Sequence, residues 1–205
     1  MKTAQPNYKP VSGRTIVVTG TPGVGKSSVS AMLASKINAR LISIGNLVKK
    51  EKLYSGMDKK RDTFIADMKK LSERIKKIMA DSNGDLIIEG HYATDLIAPE
   101  EIKYAFVLRR DPHELKIVLE KRGYKKEKVQ ENLAAEILDV CLYDAIKCCG
   151  VDKVCEIDVT GRRIEDIVEE ILLVLNGKKK CEVGIVDWLG KLEYEGKLDE
   201  YLEHF

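Results

Sequence analysis

The chain has 205 residues, 44% of them hydrophobic and 33% charged, and a formal net charge of +2. That length accommodates one well-buried α/β domain and is too short for two ordinary ones. The composition excludes a disordered chain, the near-balanced charge excludes a global field that demands nucleic acid or membrane, and no apolar run approaches a membrane span.

The stretch from Met1 to Val11 is polar, carries two prolines and lacks the apolar core of a signal peptide, so a cytoplasmic protein is expected. Arg14 to Thr19 (RTIVVT) is a β-branched run followed by glycine, as a buried parallel strand should be. Lys26 to Ile37 places Val29, Leu33 and Ile37 on one helical stripe. Arg40 to Ile44 reads as a second strand, and Asn46 to Lys52 starts a helix broken at Ser55-Gly56. From Arg61 to Ala80, the positions Ile65, Met68, Leu71, Ile75, Ile78 and Met79 predict one long amphipathic helix, closed by the turn Asp81-Ser82-Asn83-Gly84. Asp85 to Glu89 (DLIIE) and Tyr104 to Leu108 (YAFVL) read as two more interior strands.

Asp111-Pro112-His113-Glu114 marks a helix start, with a capping acid, proline at the first helical position and Glu three residues after the cap. That helix should run to Arg122 and stop at Gly123, and another should span about Lys126 to Cys149. Val154 to Val159 is the fifth strand, and Arg162 to Leu175 the helix after it, closed by Asn176-Gly177. Strands alternating with helices through right-handed crossovers predict a five-stranded parallel sheet with helices on both faces. Lys178-Lys179-Lys180 then sets off a tail, 178–205, with two short amphipathic helices carrying Trp188, Leu192, Leu198 and Tyr201. The tail either packs back onto the core or serves as a docking arm for a partner. Five cysteines with no Cys-x-x-Cys pair and an odd count are expected to be reduced and mostly buried.

Gly20-Thr21-Pro22-Gly23-Val24-Gly25-Lys26-Ser27 matches G-x-x-x-x-G-K-[ST] between a predicted strand and a predicted helix. The glycines permit a tight turn whose N–H groups point at phosphate oxygens, and the helix N-terminus adds its dipole. The expected ligands are ATP and Mg²⁺: Lys26 reaches the β- and γ-phosphates, and the Ser27 hydroxyl ligates the metal. Such a loop needs an acid at the end of a neighbouring strand, and Glu89 is the candidate. His91, just beyond the same strand end, could position a water or an acceptor oxygen, or simply be a satisfied polar group.

GTPGVGKSS, SIGNLVKKEKLYSGMD, the His91 segment after DLIIE, FVLRRDP and the Arg122-Gly123-Tyr124 motif together resemble the atypical adenylate kinases. This is the adenylate kinase isoenzyme 6 family, also described as nuclear ATPases and ribosome-assembly factors, and the resemblance runs from about Arg14 to Leu175. It implies an N-terminal extension (1–13), a P-loop nucleoside monophosphate kinase fold (14–177) and an acceptor-binding segment from Ser43 to about Ala66. It also implies a short lid from Lys121 to about Glu131. By the matching motifs, Gly23, Gly25, Lys26, Ser27 and Ser28 hold the ATP phosphates, Arg122 contacts ATP, and Gly161 and Arg162 flank the adenine. The resemblance further implies ATPase activity in small ribosomal subunit maturation, with a small-subunit ribosomal protein near the rRNA 3′ end as partner and pre-ribosomal RNA nearby. The family commonly has Asp-x-His after the third strand; this chain has Glu89-Gly90-His91, one methylene longer with the charge kept.

Lys121, Arg122, Lys125, Lys126 and Lys128 cluster between two helices, and Arg109-Arg110 end the fourth strand. Phosphoryl transfer loads charge on the equatorial oxygens, so Arg122 and Arg109 are taken as transition-state arginines. AMP is the favoured acceptor. The alternatives are an ATPase switch with incidental kinase activity and a small-metabolite kinase on the same fold.

Overall fold

Strands that are apolar on both sides need cover on both faces, and the sheet receives it. The computed structural model describes residues 13–59, 61 and 63–202; the residues 1–12, on which the expected absence of a signal peptide rests, and the tail's last residues, 203–205, lie outside them. Five parallel strands, β1 (Thr15–Thr19), β2 (Arg40–Ser43), β5 (Leu86–Glu89), β6 (Ile102–Arg109) and β7 (Val154–Asp158), form one sheet in the order β2-β5-β1-β6-β7. Between β2 and β5 the chain adds an antiparallel hairpin, β3 (Tyr54–Asp58) and β4 (Thr63–Ala66).

Alternation along the strands splits the core into two halves. Ile16, Val18, Ile87, Phe106 and Leu108 face one side, where α1 (Lys26–Ile37), α4 (Pro112–Lys121), α5 (Lys126–Ile137) and α7 (Ile164–Leu175) pack. Val17, Leu86, Ile88, Ala105 and Val107 face the other, against α2 (Ile44–Lys50), α3 (Met68–Ala80) and α6 (Val140–Cys149). Leu115 and Leu119 of α4 are wholly buried, each worth about 2 kcal/mol of apolar burial.

Three sequence expectations are corrected. The long helix expected over 61–80 begins only at Met68: Asp67 caps it by accepting from the Lys70 N–H, and Thr63–Ala66 pairs instead with Tyr54–Asp58, where Tyr54 and Phe64 stack at 4.4 Å. A helical period and a strand period coincide over so few residues, and the hairpin partner decides. The helix expected over 126–149 is two helices, because Asp139 adopts a left-handed φ of 57° between them. Finally, the cysteines are not all reduced. Cys155 of β7 and Cys181 form a disulfide, while Cys141, Cys148 and Cys149 are free. A separation of 26 residues carries no spacing signal; the tail's return beside β7 creates the pairing.

The tail packs onto the core. Helices α8 (Trp188–Tyr194) and α9 (Leu198–Leu202) bury Trp188, Leu192 and Tyr201 against the side of the sheet that holds α4 and α5. Lys191 pairs with Asp111, His113 Nε2 lies 2.7 Å from Glu195, and Lys116 lies 2.8 Å from Glu200. No helix among the described residues is long and apolar enough to cross a membrane.

Candidate functional site: the phosphate loop and its cleft

The loop between β1 and α1 owes its shape to glycine. Gly20 and Gly25 have φ of 128° and 108°, and a Cβ on Gly20 would lie 2.4 Å from the Leu108 carbonyl oxygen. Only glycine keeps the loop so close to β6. Helix α1 starts at Lys26 with no side-chain cap, so its first N–H groups remain available to an anion.

Lys26 is buried, and its ammonium donates to the carbonyls of Gly20 (2.7 Å) and Thr21 (3.0 Å). Burial lowers its pKa, opposed by the nearby Glu89 and Glu136 charges. The Ser27 hydroxyl donates to Glu89 Oε1 at 3.2 Å. Glu89 is buried at the end of β5, beside β1 in the sheet. A hydroxyl and a carboxylate paired beside the loop form the small, all-oxygen donor set that suits Mg²⁺, which takes one or two protein oxygens and fills its octahedron with phosphate and water.

These groups line a cleft of about 550 Å³. Its floor is the loop: Gly23, Gly25, Lys26, Ser27 and Ser28. Glu89 and His91 stand on one side and Arg122, Tyr124 and Lys128 on another. The third wall comes from Ser43–Lys49 and from the hairpin, with Thr63, Phe64 and Arg61. Arg61 joins hairpin to α5: it donates to Glu131 Oε2 at 2.9 Å through Nε and to Oε1 at 2.7 Å through Nη2. It also contacts Asp58 at 2.9 Å.

His91 lines the cleft with its side chain exposed there. Desolvation by the surrounding cleft walls, with the charges of Lys26 and Lys128, shifts its pKa down to about 4. The ring is therefore neutral at physiological pH and able to accept a hydrogen bond.

Arg109 is corrected. Its guanidinium is 1% exposed and held by Glu136 (2.9 Å), Glu156 (2.5 Å) and Asp139. Strand alternation turns it away from the cleft and into the interior. Arg110 is the one that faces the loop, its Nη2 lying 3.9 Å from where a Gly25 Cβ would stand. Gly161 and Arg162 occupy the turn after β7, outside the cleft lining; Arg162 donates to the Asp158 carbonyl and pairs with Glu170. Sequence reasoning missed Glu136. Its signal was there: an acid on the apolar stripe of α5, between Leu133 and Ile137.

A phosphate loop at the carboxyl edge of a five-stranded parallel sheet defines the class: an α/β P-loop kinase fold. The shikimate kinases of Acinetobacter baumannii (in complex with shikimate; TM-score 0.60, 10% identity, 82% of this chain and 96% of that one) and Bacteroides thetaiotaomicron (0.56, 13%, 80% and 98%) share it. An AAA domain family model matches residues 16–139. A Methanocaldococcus jannaschii protein named "Putative adenylate kinase" is 43% identical over 176 residues, 86% of this chain and 93% of its own length. A Saccharolobus islandicus protein of the same name is 37% identical over 185 residues, 90% and 92%. The chain belongs to this AAA domain family and to its group of archaeal adenylate-kinase-named proteins.

Proposed function

We propose that the protein is an ATP-dependent nucleoside monophosphate kinase, with AMP as the favoured acceptor. The observation that carries this reading is the single cleft in which Lys26 and the Ser27–Glu89 pair form the floor and the 43–66 segment forms a facing wall. The names of the archaeal relatives support the same activity. In this reading 43–66 binds the acceptor, 121–131 is the lid, and the 178–205 tail stands outside both.

The donor triphosphate lies along the loop, its negative charge met by the α1 N-terminus and Lys26. Ser27 and Glu89 would hold Mg²⁺, which would supply neutralisation of the donor's phosphate charge. Arg122 and Lys128 meet the charge that spreads over the transferring group, and Tyr124 helps close the site against water. Arg110, at the loop, takes the role expected of Arg109. Gly161 and Arg162 keep a place at the adenine only if the base extends beyond the cleft toward the turn after β7. Neutral His91 donates its ring N–H to the acceptor's phosphate oxygen, or accepts from a water beside it. Catalysis is positioning and electrostatics, with no covalent intermediate.

His91 favours a second reading in which water replaces the acceptor, giving an ATPase; the ribosomal partner and RNA implied by the family resemblance belong with it. One experiment separates them. With ATP and Mg²⁺, with and without AMP, ADP and free phosphate are followed separately. The kinase yields two ADP per ATP consumed and little phosphate. Phosphate release at a rate indifferent to AMP, or transfer only to a small metabolite, would overturn the proposal.

A further inference from the structure

Glu136 is buried to 1% exposure, and its carboxylate is saturated by four donors from three parts of the chain. Oε1 accepts from Arg109 Nε (2.9 Å), from the Arg110 backbone N–H (3.0 Å) and from the Trp188 indole N–H (3.2 Å). Oε2 accepts from the Thr21 hydroxyl at 2.5 Å. Thr21 lies inside the phosphate loop and is itself fully buried. One carboxylate thus joins the loop, the end of β6 and the C-terminal tail.

The tail reaches the same network by a second route. The Ile185 N–H donates to Glu156 Oε2 at 2.8 Å, and Glu156 Oε1 accepts from Arg109 at 2.5 Å. The Glu156 N–H donates to the Glu182 carbonyl at 2.8 Å, one residue beyond the Cys155–Cys181 disulfide. The tail is therefore wired to the buried charges as well as packed on apolar surface.

The charges give this wiring a use. One guanidinium faces three carboxylates, Glu136, Glu156 and Asp139. Glu136 also acts on the charge of Lys26, the phosphate-loop lysine. Phosphate at the loop draws on that ammonium and repels the carboxylate, so the hydrogen bonds that hold Glu136 feel donor binding directly.

We propose that Glu136 is the positioning residue of the phosphate loop and that the C-terminal tail, through Trp188, tunes the loop's affinity for the donor triphosphate. Glu136 touches no substrate; it fixes Thr21 and with it the backbone that receives the phosphates. Trp188 supplies one of the donors that keep the carboxylate in place. This rests on the reading of the loop as the ATP site and is independent of which acceptor is used.

Two conservative variants test it, Thr21→Val and Trp188→Phe, with Thr21→Ser as the rescue and thermal melting as a check on folding. Loss of a hydrogen bond to a buried charge weakens what it positions, so Thr21→Val should raise the KM for ATP about tenfold and Trp188→Phe about threefold. The acceptor KM should not move, kcat should stay within about twofold, and Thr21→Ser should restore the wild-type value. Trp188 is the chain's only tryptophan, so its emission should shift saturably when ATP alone is added, and Thr21→Val should abolish that shift at saturating ATP. Unchanged ATP KM in Thr21→Val and Trp188→Phe overturns the proposal, and so does an equal rise in both KM values alongside a lower melting temperature. Calorimetry on the wild type separates the two levels: no ATP binding removes the donor-site reading itself, whereas tight binding with unmoved variants removes only the role of Glu136 and the tail.

Discussion

The floor and the roof of the cleft are built on different terms. The loop is fixed by glycine backbone angles, by a fully buried Thr21 and by β1 in the middle of the sheet. The hairpin opposite exposes Met57, Phe64 and Ile65 at 49%, 37% and 51%, and Arg61 ties it to α5 through exposed side chains. A buried, saturated contact holds one geometry, whereas an exposed ion pair is worth about 0–1 kcal/mol and is readily exchanged. Phosphoryl transfer needs both: a preorganised cradle and a wall that can admit and release an acceptor.

The largest effect should come from the floor. Lys26→Ala should lower turnover by about 10³-fold or more, because a charge aimed at the transferring group is lost. Stability should change little, since the ammonium is held only by loop carbonyls and its burial already opposes its charge. A coupled ADP assay and a thermal melt check both halves. A Lys26→Ala protein with near-wild-type turnover would remove the loop from the mechanism.

Glu89→Ala should come next, with an about 10–100-fold loss that moderates as Mg²⁺ is raised. Titrating Mg²⁺ at fixed ATP reads this out. If the half-saturating Mg²⁺ concentration stays put while the rate falls, Glu89 acts on the fold or the nucleophile instead of the metal.

The floor was also the legible part. The motif Gly20–Ser27 needs no partner to be read, and DLIIE announces both a buried strand and the acid at its end. The sheet, its five strands and the Asp111 cap were readable because each is a local pattern. What escaped depends on distant pairing: Thr63–Ala66 as a strand depends on Tyr54–Asp58, and the Cys155–Cys181 disulfide on the returning tail. Arg109 escaped for a related reason. A cation at a strand end reads as facing ligand until Glu136, Glu156 and Asp139, from 27 to 47 residues away, are seen around it.

For the roof, Arg61→Ala cuts the tie between hairpin and α5. Stability should barely move, as an exposed pair allows. The acceptor KM should rise several-fold while the ATP KM holds, and amide exchange over 54–66 should quicken. Equal effects on both substrates would mean that the hairpin shapes the whole cleft and that the division drawn above is too sharp.

The smallest expected effect concerns His91, which stands where floor and roof meet. Desolvation in the cleft and two lysines lower its pKa to about 4, so the folded protein keeps the ring neutral while an unfolded chain would protonate it near the ordinary value of about 6.5. The sign follows: the neutral form is the working form, and acid must reach well below the ordinary histidine range before the free enzyme loses it. Nucleotide phosphates titrate close to that range themselves, so a raw pH profile is ambiguous. The ratio of kcat/KM for wild type over His91→Gln cancels the substrates and reports the free enzyme. It should stay flat from about pH 8 down to about pH 5. A break near the ordinary histidine value would mean that the cleft does not desolvate the ring, and His91 would then belong with the exposed hairpin rather than with the floor.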